Sequence, residues 1–230
     1  MECVMDEPND DQRKILSWED HIVPILKHPD IHIRDKALTA VAWELHARPS
    51  ELHRLRFGDV EDWGAFMAVT ITDSKCQDRR LTLFGSTPYL RKWLQEHPVT
   101  KRLATDAEPL EEATPDTPIW TQTQRNKHLS LKRFRTITVE ARVRADVRTE
   151  VTLHEIRRSR AKILALQLGL RIPALRERFG WTASEHRGLI DRDENDCLDE
   201  DVKPNAPVSC PNCGEWTPSH QPCIWCKTEH

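Results

Sequence analysis

The stretch CPNCGEWTPSHQPCIWC near the end of the sequence admits very few folds. Cys210, Cys213, Cys223 and Cys226 form two Cys-x-x-Cys pairs with nine residues between them, in a segment too short to bury an apolar core of its own. Four thiolates at that spacing reach one tetrahedral ion, so the sequence predicts a zinc ribbon over residues 208–230 holding a single structural Zn. Four sulfur ligands leave no open coordination position, which argues against a catalytic metal. Cys3, Cys76 and Cys197 stand alone, and His220 and His230 read as bystanders.

The remainder is polar: 31% of the 230 residues are charged and 38% hydrophobic, enough for one main domain. No apolar run approaches the roughly 20 residues that cross a bilayer, and the opening MECVMDEPNDDQ is acidic where a secretory leader is basic and then apolar. The expectation is a cytoplasmic protein with no membrane contact. The formal net charge of −3 hides a segregation: residues 125–178 carry 15 Lys and Arg against five Asp and Glu, whereas residues 191–201 carry seven acids against one Arg. A basic face beside an acidic segment fits a nucleic-acid phosphate backbone as partner.

Along the chain, Ser17 is a good N-cap for a helix over 18–27. In RDKALTAVAWELHA, Ala37, Leu38, Val41, Ala42 and Leu45 recur at helical spacing and predict one buried stripe. Pro49 starts a new helix and disfavours helix in the residue before it, which sets Arg48 at a corner. AFMAVTIT and RRLTLF predict an antiparallel hairpin with Lys75 near its turn. A helix over 88–96 is followed by a Pro- and acid-rich stretch, 97–118, read as a loop. Ser130 caps a basic helix containing Lys132, Arg133 and Arg135. A further helix holds VTLHEIRRSRA and stops at Gly169, and another runs from Pro173 to Gly180.

His154 and Arg157 lie at i and i+3 on one helix face, so imidazole and guanidinium can reach one small anion together, and the guanidinium fork matches two phosphate oxygens. Arg158 and Arg160 follow closely. These pieces fall in an order that resembles the tyrosine recombinases, the phage integrase family: HARPSEL is similar to the motif bearing the family's first arginine, SKCQDRRLTLF to its lysine-bearing turn, LHEIRRSRA to its His-x-x-Arg helix, and FGW to its Gly-His/Trp pair. The resemblance runs from Ile33 to Trp181. It implies an α+β, mainly α, catalytic-domain-like fold with a small antiparallel sheet. It also implies that Arg48, Arg157 and Trp181 hold a DNA phosphate and stabilise charge at phosphorus, that Lys75 is general acid, and that His154 is a phosphate hydrogen bonder or base. Arg79 and Arg80 align with the lysine position as well. Arg48, Arg157, Arg158, Arg160, Lys132, Arg133 and Arg135 are the expected DNA contacts. A short zinc ribbon is similar to those attached to archaeal-type integrases.

Two departures qualify the resemblance. The family's nucleophilic tyrosine lies about ten residues beyond the Gly-His/Trp pair, where a phosphotyrosine link would form; here the sequence reads EHRGLIDRD, and the single tyrosine is Tyr89. Residues 1–32, which precede the match, are too few for the second helical domain that closes over DNA in the family, so a one-sided, less salt-dependent grip is expected. The resulting organisation is a polar leader over 1–16, a recombinase-like DNA-binding domain over 17–190, an acidic linker over 191–207 and the ribbon over 208–230. The function expected is double-stranded DNA binding in recombination or integration of a mobile element without autonomous cleavage, pairing with a full-length recombinase or with itself. The alternatives are an active recombinase whose nucleophile comes from a partner or from Ser184, His186 or Asp191, and a protein-interaction module on a recombinase scaffold.

Overall fold

The computed structural model describes residues 15–72, 78–105, 113–167, 169–181, 207–218 and 222–229. Ser17 accepts a hydrogen bond from the Asp20 amide at 3.1 Å and starts a π-helical turn, Trp18–Ile22, that continues as α1, Val23–Lys27. His32 caps the next helix through Nδ1, which accepts from the Arg34 amide at 3.1 Å, and α2 runs over Ile33–Leu45.

One buried stripe is predicted for α2, but it is enclosed on every side: Arg34, Asp35, Thr39 and Glu44 are buried along with its alanines, leucines and Trp43. The reason is its central position, packed against α1, the later helices and the sheet, which forces its polar side chains to find partners inside. Glu44 does so by accepting from the amides of Phe84 (3.1 Å), Gly85 (3.0 Å) and Ser86 (2.9 Å) and from the Ser86 hydroxyl, and burial pushes its carboxyl pKa up. These amides lead into α4, Thr87–Glu96, so a carboxylate of one helix caps the start of another.

Between them, α3 covers Pro49–Arg54 and an antiparallel sheet is ordered β1 (Val60–Asp62), β2 (Met67–Ile71), β3 (Arg79–Leu83), with Met67 opposite Leu83 and Ile71 opposite Arg79. The expected hairpin is present, and β1 adds a third strand. The expected loop after α4 contains a helix, α5, Pro98–Thr105. Proline at the first helical position and the extended His97 before it start this helix, and the acid-rich part lies beyond its end. A short hairpin of β4 (Thr121–Gln122) and β5 (Arg125–His128) leads to α6, Leu131–Arg144, capped by Ser130. Then come α7, Leu153–Lys162, continued by a π-helical turn Ile163–Gln167, and α8, Ile172–Phe179. The core between these elements is built on Trp93, Trp120, Tyr89 and Phe134, all fully buried. The two indole N–H groups are satisfied, donating to the carbonyls of Ile119 (2.9 Å) and Leu52 (2.7 Å).

Candidate functional site

Pro49 restricts Arg48 to an extended conformation (φ −64°, ψ 146°), so α2 must end before it. The chain leaves α2 through His46 in the left-handed region, φ 40° and ψ 30°, which residues other than glycine seldom occupy. This corner directs two groups at the C-terminal end of α8: the His46 ring lies 4.8 Å from that of Phe179, and Arg48 Nη2 donates to the Gly180 carbonyl at 2.8 Å.

Arg157 reaches the same place from α7. Its Nη1 donates to the His46 carbonyl at 2.6 Å and its Nη2 to the Phe179 carbonyl at 2.9 Å, with the guanidinium 5.2 Å over the Phe179 ring. The carbonyls of Phe179 and Gly180 belong to the last turn of α8 and its cap, where helical partners run out, and Gly180 ends the helix at φ 61°. Two cations therefore cap the negative end of the helix. Trp181 stacks on Phe179 at 4.7 Å. Arg48, Arg157 and Trp181, distant in sequence, thus meet around one helix terminus.

Three further guanidiniums join them. Glu51 Oε1 accepts from Arg48 Nη1 at 3.0 Å while its Oε2 accepts from Arg79 Nη2 at 2.8 Å, Arg178 Nε donates to His46 Nε2 at 2.9 Å, and Arg160 lies 5.1 Å over the Trp43 ring. Burial, with Arg178 alongside, lowers the Arg160 pKa to about 10. One buried and four half-buried guanidiniums thus gather at this corner, and positive charge at that density attracts anions.

His46 holds the neutral form here. Its Nδ1–H donates to the Trp43 carbonyl at 3.1 Å and its Nε2 accepts from Arg178, which leaves no room for a second proton. Burial, and then Arg160 and Arg178, keep its pKa well below the usual value, and burial lowers that of His97 to about 4. Below pH about 6.5 the unfolded chain takes up protons that these folded histidines refuse, so stability falls as pH drops from about 6.5 towards 4. Urea midpoints across that range are expected to decline less steeply in His46→Asn, a side chain that tolerates left-handed backbone; equal slopes in both proteins would contradict the assignment. Glu44 acts with the opposite sign in both, so the difference isolates His46.

His154 is exposed on α7 one turn before Arg157. Lys132, Arg133 and Arg135 are exposed on α6, with Arg133 paired to Glu140, and Arg158 is half-buried. Arg160 is turned inward onto Trp43. Lys75, Ser184, His186, Asp191 and the acidic stretch 191–206 lie outside the described residues. Tyr89 is fully buried in α4, and burial drives its phenol pKa far up. The reading of the residues missed His46, Glu51 and Arg178. Their only sequence signal is adjacency to Arg48 and to the Phe-Gly-Trp end of α8.

At the other end, β6 (Val208–Ser209) pairs with β7 (Trp216–Thr217). The two cysteine turns repeat one geometry: Gly214 N donates to the Cys210 carbonyl at 2.8 Å and Lys227 N to that of Cys223 at 2.9 Å, with φ of 75° and 66° at the donors. The four Sγ atoms lie within 4.8 Å of one another, and Cys210–Cys226 and Cys213–Cys223 are each 3.6 Å apart. A tetrahedral zinc with Zn–S of about 2.3 Å needs sulfurs about 3.8 Å apart, so the cluster fits that ion. Lys92 of α4 docks on this unit, donating to the Ile224 carbonyl and lying 5.3 Å over the Trp225 ring.

No helix among the described residues is long and apolar enough to cross a membrane. Among curated proteins nothing matches. Solved structures do: XerA recombinase over 77% of this chain and 59% of its own, at 17% identity and TM-score 0.58, and XerH site-specific recombinase bound to difH substrate over 72% and 45%, at 16% and 0.54. A lambda integrase tetramer bound to a Holliday junction matches over 83% and 51%, at 14% and 0.50. This chain therefore spans less than two thirds of each of these proteins, and identity at this level shows a shared fold. The profile of the phage integrase family matches residues 18–188, most of the 230-residue sequence, and the chain belongs to that family.

Proposed function

We propose that this protein binds duplex DNA in recombination or integration of a mobile element, gripping one phosphodiester between Arg48 and Arg157 beside Trp181, without cleaving a strand by itself. The observation that carries the reading is the meeting of both arginines on the end of α8 while the sequence's single tyrosine is sealed inside α4. A fully buried phenol with a raised pKa is neither reachable by a phosphate nor ready to ionise. Lys75 as general acid and His154 as phosphate hydrogen bonder follow from the family resemblance. The exposed Lys132, Arg133 and Arg135 supply outer contacts to the backbone, which position the protein without reading sequence. The related proteins bound to difH substrate or to a Holliday junction support duplex DNA as partner, and the lambda integrase tetramer supports association with further copies or with a full-length recombinase. One structural zinc in Cys210, Cys213, Cys223 and Cys226 folds the ribbon and takes no part in chemistry at phosphorus.

Incubation with nicked duplex that traps covalent intermediates tests the reading. A retarded band on a native gel with no protein–DNA adduct on a denaturing gel is expected. A boiling-resistant adduct would replace this reading with that of an active recombinase drawing on another nucleophile, and failure to retard DNA at low salt would end it.

A further inference from the structure

The joint between the cysteine unit and the helical body is crowded with like charge. Lys92 of α4 donates to the Ile224 carbonyl and lies 5.3 Å over the Trp225 ring, so its ammonium sits against the second cysteine turn. Lys36 of α2 is half-buried nearby, and burial, followed by the fields of Lys227 and Lys92, lowers its pKa to about 8. Lys227 belongs to that same cysteine turn, where it follows Cys226 at φ 66°. Ammonium groups from α2, α4 and the cysteine unit therefore repel one another at one place, which opposes docking.

Among the described residues, Glu96 is the one carboxylate whose field reaches Lys36 or Lys92, which leaves two positive charges in excess. Four thiolates around one divalent ion carry two negative ones. The cluster is also turned towards the lysines: Cys213 is exposed, whereas Cys210 and Cys223 are buried, and Cys223 acts directly on Lys92. Thr217 and Cys223 are both fully enclosed. A unit of about twenty residues encloses side chains so completely only where a larger surface lies against it.

We propose that the metal-loaded tetrathiolate is the anchor that docks the ribbon onto α2 and α4, with Lys36, Lys92 and Lys227 gathered about its net negative charge. The ion then holds two things together, the turns of the ribbon and the joint between ribbon and body. Lys36 lies nine residues before Leu45, the end of α2, about 14 Å along the helix axis. The ribbon is thus fixed at the end of α2 away from Arg48, as a rigid extension of the domain that loss of metal sets free. The inference rests on the zinc reading and is independent of DNA binding.

The full chain loaded with Co²⁺ in place of zinc provides the test, because thiolate-to-cobalt absorption reports the four ligands and the paramagnetic ion displaces nearby resonances. Lys36 and Lys92 Cε–H resonances are expected to shift strongly from their positions in the zinc form. Full thiolate absorption with both lysines unmoved would overturn the proposal and leave the zinc reading standing. Absence of that absorption, with no metal found by elemental analysis, would overturn the zinc reading and the anchor with it. In the zinc form, Lys36→Gln with Lys92→Gln is expected to weaken zinc affinity about tenfold, since docking and metal binding are linked. The amides of Cys210 and Gly214 should then tumble faster than the body in ¹⁵N relaxation. A double variant whose ribbon tumbles with the body and binds zinc as tightly as wild type would equally overturn the anchor.

Discussion

Replacing Arg48 and Arg157 together by alanine is expected to lower duplex-DNA affinity about 100-fold or more at moderate salt, measured by fluorescence anisotropy. Each charge-assisted guanidinium–phosphate contact contributes about 1.5–3 kcal/mol, and the two act on one group. The slope of log affinity against log salt should become shallower by about one to two units. Part of the effect is structural, since Arg157 also ties α7 to the His46 and Phe179 carbonyls and Arg48 ties α3 to Gly180. Arg157→Lys separates the two contributions: it keeps a positive charge that can still approach a phosphate but cannot span both carbonyls. Unchanged affinity in the double variant, with its helices intact by circular dichroism, would remove the clamp from the account.

Removal of the proposed zinc is the second change expected to have a large effect. Structural zinc in small thiolate units contributes about 10–16 kcal/mol of apparent binding energy, which is also their folding energy. Chelation, or Cys213→Ser with Cys226→Ser, is therefore expected to unfold the two cysteine turns and the β6–β7 pair while the helical body stays folded. Amide exchange reads this directly: Cys210, Gly214, Cys223 and Lys227, whose N–H groups are held within the two cysteine turns at 2.8–2.9 Å, should lose protection. The contact of Lys92 with Ile224 and Trp225 should go with them. Protection that survives in protein shown by metal analysis to be metal-free would mean that the turns stand without an ion.

Much of this molecule is legible in its sequence because local rules and tertiary needs agree. Ser17 and Ser130 cap the helices that follow them, Pro49 and Pro173 start α3 and α8, and strand-forming residues mark β2 and alternating ones β3. Arg48, Arg157 and Trp181 could be placed in one site because their motifs stand in a recognisable order. The rest depends on neighbours that no local pattern reveals. Burial of α2 all round follows from what surrounds it, so its apolar stripe understates its position. The helix α5 begins in a stretch whose composition is dominated by the acidic residues after it. The left-handed His46, the Glu51 bridge and the inward turn of Arg79 and Arg160 come from contacts between elements far apart in sequence. Arginines that read as one basic face divide into two sets, one exposed on α6 and one half-buried against Phe179 and Trp43, and the division follows from which elements lie against each helix face.

The DNA-binding proposal depends on Arg48 and Arg157 acting on the same DNA phosphate. Neutral methylphosphonate linkages placed singly along a bound duplex, assayed against wild type and against Arg48→Ala/Arg157→Ala, form a double-mutant cycle between one phosphate and the arginine pair. One position is predicted at which neutralisation weakens wild-type binding at least tenfold and the double variant's hardly at all. Effects that are equal in the two proteins at every position would contradict the account.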